Sequence, residues 1–284
     1  MDDSRYRPAV VPFSVSQITT LGWPFERDVE AFAAAGAPGI GVSVRKLEAY
    51  GLDRAARRLH DAGLRVSCLT SAGPLVLLDG IAGTAAALDG VRRQLAAARV
   101  LGAGCLMVLP GAAPSLSWEE AAARAAPLLH ELGREAAALG VRLALEPVSQ
   151  LRMDLGFLHS FDEALDFVDA LGSPAVGVVL ELNNAWIERR LYENIRCRTD
   201  RIALVQVSDF KVGTLNASER VVMGDGDVPL GRICRALADA AYAGWYDIEL
   251  LGPAIEAEGY ARVVPRAVER FRALWNGTEG GQRE

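Results

Sequence analysis

Three glutamates and a glutamine close four successive apolar runs in the second half of the chain. RLALE ends at Glu146, VGVVLE at Glu181, RIALVQ at Gln206 and WYDIE at Glu249. A buried parallel strand reads as a near-continuous hydrophobic run. If such strands close into a barrel, the residues at their ends meet at its C-terminal mouth. Three carboxylates brought to one mouth repel each other unless some keep their protons or a cation joins them. All four side chains offer oxygen, a donor set that favours a hard ion such as Mn2+ or Mg2+ over zinc. The expectation is one divalent ion held by Glu146, Glu181, Gln206 and Glu249. The alternative is a set of rim glutamates paired with arginines.

Positioning these groups takes parallel strands with helices between them, and the chain alternates in that way throughout. AVVPFS precedes PFERDVEAFAAAG, PGIGVS precedes LDRAARRLHDAG, and LRVSCLT precedes an Ala-rich helix ending near LGAG. CLMVLP, VRLALE, VGVVLE, IALVQVS and YDIELL open five further units, each with a helix-like stretch after it. Several helices stop at AG or LG before the next strand, as glycine after a helix C-terminus does. Ser117 with Glu120 and Ser160 with Glu163 have capping-box spacing. Eight alternating units in a chain of 284 residues predict one α/β domain, a single (β/α)8 TIM barrel over residues 1–276. Residues 277–284 are expected to form a disordered tail. An open doubly wound sheet is the competitor, but no GxGxxG follows the first strand.

Composition narrows the partners. The formal charge is −6, with no basic block, so nucleic acid is not an expected partner. No uncharged apolar run is long enough to span a bilayer. The N-terminal MDDSRYRPAVV lacks a signal-peptide layout, and the expected location is cytoplasmic. Cys68, Cys105, Cys197 and Cys234 form no CxxC pair and are read as free thiols, with Cys68 and Cys105 buried.

The order LALEPV, ELNN, QVSD, RVVMGDGD and DIEL resembles the xylose-isomerase-like TIM barrels, also called sugar phosphate isomerases/epimerases. The resemblance covers most of the chain and is strongest over residues 141–252. It departs from the usual pattern at three places. Glu181 stands where a metal-binding Asp is usual, Asn184 where a His would follow it, and Gln206 where a metal-binding His is common. Gln in a VQ-x-x-D stretch is similar to the family's 3-dehydroshikimate dehydratase branch. The resemblance implies that Glu146 and Glu249 are catalytic. They would exchange a proton with the carbon next to a metal-bound carbonyl, through an enediolate. It also implies that Arg220, just before the Gly-x-Gly turn, reaches substrate oxygens. Asn184 would contact substrate through hydrogen bonds but cannot shuttle a proton near neutral pH. Barrels of this kind often pair, so a homodimer or homotetramer is the expected assembly.

Further candidates come from position. Asp209, three residues after Gln206, is expected to orient a ligand from behind; a cap or rim role is the alternative. Arg152, Lys211 and His159 lie on the mouth side and are candidates for substrate binding, against solvated or capping roles. Trp23, Trp118 and Trp186 follow strands one, four and six, and Trp118 is the one expected to wall the pocket. His60 and His130 fall within helices and are read as structural. TSAGPLVLLD, residues 70–79, is apolar for a mouth loop and suits a lid or a greasy ligand.

The expected function is a divalent-metal-dependent isomerase or epimerase acting on a small keto-sugar, cyclic polyol ketone or related hydroxy-ketone. The runner-up is a lyase or dehydratase using the same site, including one that opens sugar conjugates. A metal-free binding or scaffold barrel is the third reading.

Overall fold

A computed structural model describes residues 11–75, 80–216 and 218–280. Eight strands close into a parallel barrel in sequence order: β1 (Phe13–Ser16), β2 (Gly39–Ser43), β3 (Arg65–Thr70), β4 (Cys105–Val108), β5 (Arg142–Leu145), β6 (Val176–Glu181), β7 (Ile202–Val207) and β8 (Tyr246–Ile248). Closure is made by β8 pairing with β1, Phe13 lying beside Tyr246 and Val15 beside Ile248. β1, β2, β4, β6 and β8 are buried along their whole length; the residues not buried in the other three strands are Arg65 and Thr70 on β3, Arg142 on β5 and Ala203 on β7.

The helices are α1 (Phe25–Ala34), α2 (Val44–Tyr50), α3 (Leu52–Asp61), α4 (Gly80–Leu101), α5 (Trp118–Leu139), α6 (Phe161–Leu171), α7 (Leu182–Ala185), α8 (Leu191–Cys197), α9 (Leu230–Asp239), α10 (Pro253–Glu258) and α11 (Tyr260–Gly280). Both expected capping boxes form: Ser117 Oγ accepts from Glu120 N, Ser160 Oγ from Glu163 N, and each glutamate reaches back to its cap. Each box satisfies two otherwise orphaned donors at the start of a helix. The α11 helix continues to Gly280, past the expected boundary at 276; residues 281–284 of that tail lie outside the described residues. So do residues 76–79 of the apolar 70–79 stretch and the AV that opens the first expected strand; the described strand there is the later FSVS.

The barrel interior is a packed plug of Cys68, Cys105, Met107, Ala144, Val179 and Leu204, with Trp245 against it. This layer places the reactive groups above a floor that excludes water. Cys68, Cys105 and Cys234 are buried and Cys197 is exposed, all as free thiols. Among the described residues no helix is long and apolar enough to cross a membrane.

Candidate active site

Glu181 and Gln206 are register partners on β6 and β7, and Glu146 and Glu249 follow directly on β5 and β8. Parallel strands in neighbouring register bring all four to one end of the barrel. Glu146 and Glu249 line a mouth cavity of about 200 Å3 together with Asn184, Arg220 and Arg152. The four sequence-predicted residues therefore share that end of the barrel, and Glu146 and Glu249 line the cavity with three of the expected substrate contacts.

Arg220 sits among the carboxylates. Its Nη1 lies 3.3 Å from Glu249 Oε1 and 3.7 Å from Glu181 Oε1, and it donates to the Glu249 backbone carbonyl at 3.1 Å. Gln206 Nε2 donates a short hydrogen bond to Glu249 Oε2. Glu181 Oε1 accepts from the Asn183 backbone N–H at 3.0 Å. Two buried oxygens remain without any hydrogen-bond partner, Glu181 Oε2 and Gln206 Oε1. Among the described residues no side chain donates to the carboxyl of Glu146, which faces the cavity.

The electrostatics follow from this crowding. Burial, then the charges of Glu249 and Glu181, raise the Glu146 pKa to about 8, against the lowering effect of Arg220. Burial also raises Glu181 and Glu249, each opposed by Arg220. Burial alone would lower Arg220, but Glu181, Glu249 and Glu146 together hold it above its usual value. Three carboxylates against one guanidinium leave the site short of positive charge.

The donor set fits a hard divalent cation. Its oxygens include two buried atoms with no donor, in a place where an unpaired polar atom is costly. Glu146, Glu181, Gln206 and Glu249 are the residues that would hold it. No three His, Cys, Asp or Glu side chains already form a metal-sized cluster among the described residues.

The other expected residues fall into place around this centre. Among the described residues the Asp209 carboxylate hydrogen-bonds backbone groups rather than Gln206. It accepts the backbone N–H groups of Phe210, Gly224, Gly226 and Val228 at 2.8, 2.8, 3.1 and 3.0 Å. It thus ties down the loop that carries Arg220. Gly226 is required there, because a Cβ at that position would run into Asp209 Oδ1. Arg152 reaches the cavity but is paired bidentately with Asp154, both contacts at 3.0 Å. Lys211 is exposed and does not line the cavity. Trp118 and His159 line a neighbouring pocket instead. Trp23 packs edge-on against Tyr260, and His60 and His130 are exposed on α3 and α5.

Sequence reasoning did not single out Asp247, two residues before Glu249. It points into the barrel and accepts from Ser14 Oγ at 2.5 Å. Burial raises it to about 7, opposed by that hydrogen bond. Alternation on β8 was the available signal, since residues two apart in a strand share a face.

The barrel and its mouth define a class. A model of the xylose isomerase-like TIM barrel matches residues 29–272, and the chain belongs to that family. It is 26% identical to protein SMc04130 from Sinorhizobium meliloti 1021, with a TM-score of 0.86 over 93% of this chain and 98% of that one. It is 32% identical over 123 residues to the D-psicose 3-epimerase of Enterocloster bolteae. That match takes in 43% of this chain and only 38% of the epimerase. The structure of the IOLI protein with a binding zinc atom shares the fold, at 18% identity and a TM-score of 0.84 over 95% of this chain and all of that one.

Proposed function

We propose that this chain is a divalent-metal-dependent isomerase or epimerase acting on a keto-sugar, cyclic polyol ketone or related hydroxy-ketone. The observation that carries the reading is the unpartnered pair of buried oxygens, Glu181 Oε2 and Gln206 Oε1, in a mouth that also holds Glu146 and Glu249. The partial similarity to an epimerase of a ketohexose supports the substrate class.

A divalent ion held by Glu146, Glu181, Gln206 and Glu249 would supply positive charge to stabilise negative charge developing on substrate oxygen. The chain's own groups do the rest. Glu146, free of donors and raised to about 8 without a cation, would be held as a carboxylate by the ion's charge and would take a proton from the carbon beside the substrate carbonyl. Glu249, fixed by Gln206 and Arg220, stands as its counterpart and returns a proton. Arg220 gives its buried guanidinium to substrate oxygens as well as to the glutamates. Asn184 offers one hydrogen bond at the cavity wall. A cavity of about 200 Å3 suits a compact polyol better than a large ligand.

One observation favours a second reading, a barrel that works without metal. Arg220 already lies between Glu181 and Glu249 as a cation. Incubation with ketohexoses, inososes and 3-dehydroshikimate in D2O, with and without Mn2+, separates the readings. The proposed activity gives metal-dependent deuterium incorporation next to the carbonyl and an isomeric product. A product lighter by one water identifies a lyase. No exchange with any of them under either condition supports the metal-free binding barrel.

A further inference from the structure

Glu249 has both carboxylate oxygens engaged, unlike the other groups proposed to hold a cation. Gln206 Nε2 donates to its Oε2, and Arg220 Nη1 stands 3.3 Å from its Oε1. Glu181 leaves Oε2 open and Gln206 leaves Oε1 open. The contact from Gln206 is compatible with a bound cation, because the oxygen of that amide is the end left open. The contact from Arg220 is not. A guanidinium has donors only, so it supplies no ligand and sets a like charge against any ion that reaches for the same oxygen.

Arg220 is held in a way that lets it leave. Its Nη1 hydrogen bond goes to the Glu249 backbone carbonyl at 3.1 Å. Its approaches to the carboxylates of Glu249 and Glu181, at 3.3 and 3.7 Å, are ionic contacts with no hydrogen bond in them. Its Nε is buried without a partner. The backbone beneath is fixed: Arg220 N donates to Leu251 O at 2.9 Å, and Val221 and Asp209 exchange backbone hydrogen bonds at 2.9 and 3.0 Å. Retreat from the carboxylates therefore falls to the side chain alone, and the mouth cavity that Arg220 lines gives it room.

We propose that Arg220 is the counter-cation of the mouth carboxylates when no ion is bound, and that a divalent ion is taken up in competition with it. The guanidinium leaves Glu249 Oε1 for the cavity as that oxygen becomes a ligand. Arg220 thereby sets the affinity of the site, and it becomes available to substrate oxygens once an ion has replaced it. The proposal rests on the reading of Glu146, Glu181, Gln206 and Glu249 as the residues that would hold the ion.

The test uses Mn2+ alone, titrated by calorimetry into chelator-treated protein at one slightly alkaline pH, where a proton is a poor substitute for the guanidinium. Arg220→Met removes the charge and keeps most of the side chain's length. Arg220→Gln removes the same charge with a polar side chain, and thermal melting shows which of the two is folded. Each folded variant should bind Mn2+ about tenfold more tightly than the wild type, because a like charge beside the ion is gone. Arg220→Lys keeps that charge and should stay within about threefold of the wild type. A gain in Arg220→Lys as large as in Arg220→Met would trace the effect to shape and overturn the proposal. Mn2+ binding by the wild type with no gain, or a loss, in the neutral variants would overturn it too, while keeping the metal reading. Binding by the neutral variants but not by the wild type supports the competition and removes the metal reading for the native chain. No binding by any of them removes both.

Discussion

Two groups of buried charges in this molecule are built on opposite plans. At the corner of β1, α1 and α2, Asp28 accepts from Lys46 Nζ at 2.6 Å, Thr20 Oγ1 at 2.7 Å and Gln17 Nε2 at 3.0 Å. Gln17 Oε1 in turn accepts from Ser43 N, and Lys46 also donates to the Thr20 carbonyl. One negative charge meets one positive charge, and the groups around them are paired. At the mouth, three carboxylates meet one guanidinium, and two oxygens have no donor. The first network is complete and holds two strand ends to a helix. The second is complete only with something added, which is what separates a site from a brace.

Breaking the open network should cost activity and little stability. Glu146→Gln and Glu249→Gln are each expected to lower the exchange rate by on the order of 10³-fold, the scale of general acid–base catalysis. Their thermal midpoints should stay near that of the wild type, because each change removes a like-charge repulsion. Steady-state kinetics and calorimetric melting check the two halves together, and retained exchange in either variant removes that glutamate from proton transfer.

The closed network should behave in the opposite way. Lys46→Ala leaves Asp28 buried without its countercharge, a change that costs about 3–5 kcal/mol. Urea unfolding would register it, with exchange activity of the folded fraction unchanged. A loss no larger than that of an exposed pair, about 0–1 kcal/mol, would show the network to be incidental.

A smaller effect follows from pH. Burial, against the pull of Lys46, raises the Asp28 pKa from 3.8 to about 6. Between those values the folded chain holds more protons than the unfolded one, so stability falls as pH rises. This group's contribution is full below 3.8 and lost as pH climbs through about 6. Asp28→Asn should lack that slope, and the difference between the two unfolding curves across the window isolates it. Parallel curves would place the titration elsewhere.

How much of this could be read from the sequence depends on the range of the contacts. Strand-ending Glu146, Glu181, Gln206 and Glu249 were legible because apolar runs and alternation are local signals. The capping boxes at Ser117 and Ser160 were legible for the same reason. The α2 helix was missed, since VRKLEAY follows β2 with no break and ends at Gly51, which has a φ of +98°. The role of Asp209 was hidden because three of its four backbone partners lie 15 to 19 residues away. Arg220 was expected at substrate, but its approach to Glu181 and Glu249 needs the loop geometry that Asp209 fixes. Trp118 and His159 were placed on the correct face, yet nothing in their spacing separates the mouth cavity from the one beside it. The Asp28–Lys46 pair, 18 residues apart on different elements, carries no sequence signal.

The proposed divalent cation at the mouth can be measured directly. Titration of chelator-treated protein with Mn2+, read by elemental analysis after desalting and by thermal midpoint, tests it without any substrate. One Mn2+ per chain is expected, with a stabilisation of about 2.7 kcal/mol at roughly a hundredfold excess over Kd. Both should be lost in Glu181→Gln. Protein that takes up no stoichiometric Mn2+, Mg2+, Co2+, Zn2+ or Fe2+, and melts at the same temperature with and without them, would contradict it and leave Arg220 as the cation of the site.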